Sequence, residues 1–100
     1  MKATISVRVP KELIEEIKKI AEEEDRDKAD VLREILAKGV QEKKIEIAIK
    51  KYKEGKFTLW KAARYAGISL WAMIELLKEK KIELQYGEAE LESDLKALEE

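Results

Sequence analysis

Apolar and polar positions alternate strictly near the amino terminus of this chain. Ile5, Val7 and Val9 stand between Thr4, Ser6 and Arg8, and a two-residue period is that of a half-buried β-strand. The period then lengthens to that of a helix. Leu13, Ile17, Ile20 and Ala21 recur with Lys and Glu between them, which predicts a helix over about residues 11–24. Pro10 suits its first turn, where a missing N–H costs nothing, and the polar run 22–27 ends it. Asp27 is a good N-cap for a second helix, and Asp30 adds a carboxylate to its first turn. Val31, Leu32, Ile35, Leu36 and Val40 share one face of that helix. Gly39 interrupts it at a cost of about 1 kcal/mol relative to Ala, and marks either a close helix crossing or a bend.

Beyond Gln41 the pattern changes. Ile45, Ala48, Ile49 and Tyr52 have helical spacing and lead to Gly55, a suitable residue just past a helix end. Residues 45–49 also fit an alternating strand, but the lysines that follow and Gly55 favour helix. Whether it continues the second helix is left open by the pattern. Thr58 is placed to cap a helix holding Leu59, Ala62, Ala63 and Ala66. Gly67 supplies a tight turn, and Ser69 caps a further helix whose expected core is Ile68, Met73, Leu76 and Leu77. Residues 82–86 read as a short strand or extended segment. Gly87 introduces a last helix from about Glu88, with Leu91, Leu95 and Leu98 on one stripe.

A lone strand before residue 82 leaves two open edges, which chains pair or cover. The simplest partner is the same strand of a second copy. Ile5, Val7 and Val9 would then share a buried face, and Thr4, Ser6 and Arg8, with Lys2 beside them, an outer one. Hydroxyls and a guanidinium on a two-stranded ribbon are suited to reading base edges in the major groove. The plainer alternative is a strand packed on its own domain. The expected fold is therefore mainly α, with an amino-terminal β-strand paired across a homodimer and a helix-turn-helix-like carboxy-terminal module. The expected domains are residues 1–44 and 45–100.

Composition narrows the functions. Charged residues make up 43% of the 100 and hydrophobic ones 45%, with no Cys and no His. Disulfides, the usual zinc sites, thiol nucleophiles and the commonest general base are excluded. No phosphate-binding glycine loop is present, and no carboxylate stands isolated in an apolar setting, so an enzyme is not expected and no cofactor is implied. No apolar run approaches a membrane span and no signal-peptide core follows Met1, which points to the cytoplasm. The net charge of -1 hides an uneven distribution. Residues 1–44 balance to zero, residues 45–81 hold nine basic against four acidic side chains, and residues 82–100 hold one basic against seven acidic. A basic middle and an acidic tail imply two different partners or mutual attraction.

The strand, the Pro-led helix, the polar turn and the capped second helix, over about residues 2–40, resemble the ribbon-helix-helix repressors. The resemblance implies an intertwined dimer that enters the major groove, with Thr4, Ser6 and Arg8 at the base-reading positions. It implies phosphate contacts by Lys28 and Ala29 at the start of the second helix, and by Lys2 at the ribbon. Ala29 stands where a serine is frequent, and Asp27 and Asp30 flank it, departures that weaken the grip. Thr58-Leu59, Ala62-Ala63 and Ala66-Gly67-Ile68-Ser69 resemble a helix-turn-helix signature. Together with Ala48, Tyr52, Gly55, Lys56 and Tyr86 they make residues 45–98 similar to a small uncharacterised prokaryotic family. Its members are often regarded as antitoxins partnered with PIN-domain ribonucleases.

The helix-turn-helix signature would expose Ser69, Leu70, Trp71, Ile74, Glu75 and Lys78. Only Ser69 and Lys78 suit nucleic acid, so Leu70, Trp71 and Ile74, with Tyr86, Leu91 and Leu95, are read as a protein-binding surface. The plain alternative makes Trp60 and Trp71 core residues and the lysines from 50 to 61 a solvated face. The acidic tail reads as a solvated helix, as a segment docked on the basic middle, or as a decoy in a toxin's RNA groove. The leading reading is a sequence-specific DNA-binding repressor and antitoxin. The competing reading is a protein-interaction module whose amino-terminal strand serves only dimerisation.

Overall fold

The computed structural model describes residues 2–84. Four helices follow one another: α1 (Lys11–Glu23), α2 (Lys28–Lys53), α3 (Leu59–Ala66) and α4 (Leu70–Glu79). The chain divides into two compact units, residues 1–38 and 39–100, with the division falling inside α2.

No strand occurs among the described residues, which overturns the amino-terminal β-strand of the expected fold. Residues 2–10 carry no regular secondary structure and are all exposed. A strand exists only as part of a ladder that pairs its N–H and C=O groups, and no second segment lies alongside this one among the described residues. The alternation marks two chemically different faces without supplying a partner. Residues 82–84 likewise form no strand, although Ile82 and Leu84 pack against the core of the second unit. The rest of that segment and the last helix, with Tyr86, Leu91 and Leu95, lie outside the described residues.

The four helices end alike. After α1, the Asp25 N–H donates to the Glu22 carbonyl (3.2 Å) and the Arg26 N–H to that of Ala21 (2.9 Å). The same pair of bonds closes α2 (Gly55 to Tyr52, Lys56 to Lys51), α3 (Gly67 to Arg64, Ile68 to Ala63) and α4 (Lys81 to Lys78, Ile82 to Leu77). Each satisfies two carbonyls that the helix itself leaves unpaired. The motif needs one residue in the left-handed region, and φ is 53° at Asp25, 77° at Gly55, 72° at Gly67 and 58° at Lys81. Glycine takes this conformation without strain at Gly55 and Gly67, whereas Asp25 and Lys81 carry a Cβ there.

In the first unit only Ala21 and Val31 are buried, while Leu13, Ile20, Leu32, Ile35 and Leu36 remain 39–53% exposed. Two helices have too little surface between them to cover so many apolar side chains. The second unit has a full core. Ala48, Ile49 and Tyr52 from α2 meet Phe57, then Leu59, Ala62, Ala63 and Ala66 from α3, and Met73, Ile74 and Leu77 from α4. Leu59, Met73, Ile74 and Leu77 are wholly buried, and each such side chain contributes about 1.5–3 kcal/mol. Gly39 meets neither crossing helix nor neighbour, for nothing lies within 4 Å of where its Cβ would stand. The helix runs through it to Lys53.

Candidate nucleic-acid interface

Lys2, Thr4, Ser6 and Arg8 are all exposed, ahead of the Pro10 carbonyl that accepts the first bonds of α1 from Leu13 (3.1 Å) and Ile14 (3.3 Å). Ile5 and Val7 are 80% and 73% exposed. The segment thus offers its hydroxyls, its cations and its apolar side chains alike to a partner outside the chain.

The start of α2 is built differently from an open phosphate grip. Lys28 is exposed and Ala29 half-buried. The Ala29 N–H donates to the Asp27 carboxylate at 3.3 Å, and the Val31 N–H to the Asp27 carbonyl at 3.1 Å. Asp30 accepts from Arg33 at 2.7 Å. Asp27 is the cap that the sequence announces, and for that reason a negative charge already occupies one of the donors a phosphate would use. Beside it, Arg26 donates to Glu34 and, at 3.3 Å, to Glu24. The hydrogen bond to Glu34 raises the Arg26 pKa, and the same bond, with one from Lys38, lowers that of Glu34. A hollow of about 510 Å³ borders these groups, lined by Lys18, Arg26 and Lys28 but equally by Glu22, Asp25 and Asp27. Such mixed charge gives no preference for an anion.

In the second unit Thr58 Oγ1 accepts from the Lys61 N–H (3.1 Å) and Ser69 Oγ from the Ala72 N–H (3.0 Å), so both hydroxyl oxygens cap their helices, α3 and α4. Leu70 and Trp71 are half-buried and pack against the core. Ile74 is wholly buried, which corrects its placement on an outer protein-binding face. The helical stripe of α4 runs through Met73, Ile74 and Leu77, and Leu76, expected inside, is half-buried at its edge. Stripes of i, i+1, i+4 and of i, i+3, i+4 are equally helical, and the packing partner chooses between them. Trp60 does not join the core and is 50% exposed. Gln41 was not singled out by any pattern, yet its Nε2 donates to the Ala66 carbonyl at 2.8 Å. A polar residue within a helix gives no local sign of such a bond. No helix among the described residues is long and apolar enough to cross a membrane.

The exposed amino-terminal segment and the helices that follow it have counterparts among known protein families. Residues 3–43 match the model of the ribbon-helix-helix proteins of the copG family. Residues 27–100 match that of the uncharacterised protein family UPF0175, and the chain belongs to this family. A UPF0175 protein of Aeropyrum pernix is 42% identical over 52 residues, which cover 52% of this chain and 58% of the relative. The shared stretch is thus less than two thirds of that relative's length. No solved structure matches the chain.

Proposed function

We propose that this protein is a sequence-specific DNA-binding regulator that represses its own operon as the antitoxin of a toxin–antitoxin pair. The observation that carries the reading is the similarity of residues 3–43 to the copG family, at the very segment whose polar face is unpartnered. Thr4, Ser6 and Arg8 contact bases. Lys2 and Lys28 hold phosphate, with the Ala29 N–H shared against Asp27. A second copy of the chain covers the exposed apolar side chains of the first unit, from Leu13 to Leu36, which are too many for a stable isolated unit. The second unit neutralises the toxin, a PIN-domain ribonuclease by resemblance, through the exposed parts of Leu70 and Trp71, with Tyr86, Leu91 and Leu95, outside the described residues, as further contacts.

The test is binding to the DNA upstream of its own gene by wild type and Arg8→Ala across a salt series. Selective binding that Arg8→Ala weakens by about 1–3 kcal/mol supports base contact. Weak, unselective binding unaffected by the change overturns the repressor.

One observation favours the competing reading of a module that binds protein alone. The Asp27 carboxylate sits on the N–H group that a phosphate needs. Equal binding of toxin by wild type and Arg8→Ala, with no operator binding by either, is its signature.

A further inference from the structure

The chain carries 22 acidic residues in 100, yet none lies between Glu54 and Glu75. That acid-free run contains α3, and the structure gives it two opposite sides. Leu59, Ala62, Ala63 and Ala66 face the core. Trp60, Lys61, Arg64 and Tyr65 face outward, with Trp60 50% and Tyr65 39% exposed, and line a hollow of about 460 Å³. The spacing sets Trp60 one turn from Arg64 and Lys61 one turn from Tyr65, so rings and cations interleave on a single face.

Phe57 anchors the arrangement. Its ring is buried and meets that of Tyr65 at 5.5 Å between centroids with a tilt of 54°. The ammonium groups of Lys51 and Lys61 lie 5.1 and 5.0 Å from its centroid, within the range of a cation–π contact. Lys51, Lys61 and Arg64 pair with no carboxylate among the described residues, while Lys56 beside them is tied to Glu54. Among the described residues the face therefore keeps its positive charge, with Lys51 and Lys61 held by an aromatic ring in place of an acid.

We infer that this outward face of α3 binds single-stranded nucleic acid, with bases stacked on Trp60 and Tyr65 and phosphates held by Lys61, Arg64 and Lys51. Stacking needs bases that are not already stacked in a duplex, and interleaved rings and cations match a strand in which bases and phosphates alternate. A duplex engages only the cations. An acidic protein surface also engages the cations, but an aromatic hot spot of a protein interface is ringed by groups that exclude water, and here the neighbours of Trp60 are charged. The inference does not depend on the amino-terminal DNA contact.

The experiment measures binding of a labelled, short oligothymidylate to the full-length chain carrying Arg8→Ala, so that loss of the proposed operator contact and loss of this face are read separately. Trp60→Ala is expected to weaken binding about tenfold. Since Trp60 is half exposed, that variant keeps its helical circular dichroism. Lys61→Gln with Arg64→Gln is expected to flatten the dependence of log K on log salt by about 0.7 for each cation removed. A duplex of equal length is expected to bind more weakly and to be indifferent to Trp60→Ala. Unchanged affinity in Trp60→Ala, an unchanged salt slope, or preference for a polyglutamate peptide over oligothymidylate each overturns the inference, the last assigning the face to an acidic protein.

Discussion

The side-chain amide of Gln41 donates to the backbone carbonyl of Ala66, 25 residues further along, at 2.8 Å. Ala66 is the last residue of α3, so Gln41 in α2 serves as a remote cap for a carbonyl that its own helix leaves unpaired. Leu has nearly the helix propensity of Gln, and Gln41→Leu therefore isolates the bond. Its loss is expected to cost about 1 kcal/mol in denaturant unfolding. Gln41→Glu cannot donate and sets a negative charge against the negative end of α3, so a larger loss is expected. Equal stability of all three proteins would show that water replaces the bond.

Lys81 holds a positive φ of 58° at the end of α4, where α2 and α3 use glycine. Lys81→Gly removes the clash of a Cβ with its carbonyl and is expected to stabilise the second unit by about 1 kcal/mol, read from the thermal midpoint. The gain expected for Asp25→Gly is smaller, because Asp tolerates this conformation better.

The Arg26 bond holds the Glu34 carboxyl below its ordinary value of 4.5, helped by Lys38. A carboxylate with a depressed pKa stabilises the fold above its ordinary value and loses that contribution as pH falls through the folded one. The window is therefore acidic, below about pH 4.5. Both partners are open to water, so the effect on stability is small. The clear readout is the titration of Glu34 by carboxyl NMR, which is expected to move up toward 4.5 in Arg26→Gln. No movement would place the cause elsewhere than in Arg26.

Asp27 caps α2 with a carboxylate where DNA would bring a phosphate. Asp27→Ser keeps the cap and removes the charge. If DNA approaches this helix start, operator binding is expected to tighten several-fold at low salt, with little change in melting temperature. A tighter grip confined to low salt follows from screening of the charge that was removed. Unchanged affinity would remove Lys28 and Ala29 from the interface.

The parts of the fold written in local chemistry were legible in the sequence. Thr58 and Ser69 cap the helices they precede, and Gly55 and Gly67 end the ones they follow. Each of these is decided within four or five residues. The strand over residues 4–9 was not, because alternation reports which side chains share a face and says nothing of whether a ladder exists. Ile74 lies on the core side of α4 for a related reason: its stripe is visible in the sequence, but the rotation of that stripe is chosen by the core that α4 shares with α2 and α3. Trp60 and Trp71 looked alike as residues, and only packing separates the half-exposed one from the one against the core. Of the amino-terminal candidates, the structure places Thr4, Ser6 and Arg8 in the open, and their roles rest on a partner that no single chain contains.

The eight residues of α3 put the core and the solvent on opposite sides of one short cylinder. Ala62, Ala63 and Ala66 have no side-chain atom to spare and no room to grow, whereas Trp60, Lys61, Arg64 and Tyr65 face water. Only Phe57, a core residue that touches Tyr65 and Lys61, links the two sides. In a saturation screen scored for abundance alone, Leu59, Ala62, Ala63 and Ala66 should resist change, Lys61 and Tyr65 should respond in part through Phe57, and Trp60 and Arg64 should drift most freely. Any outer position that resists change only when the screen is scored for activity is being held by what the protein touches.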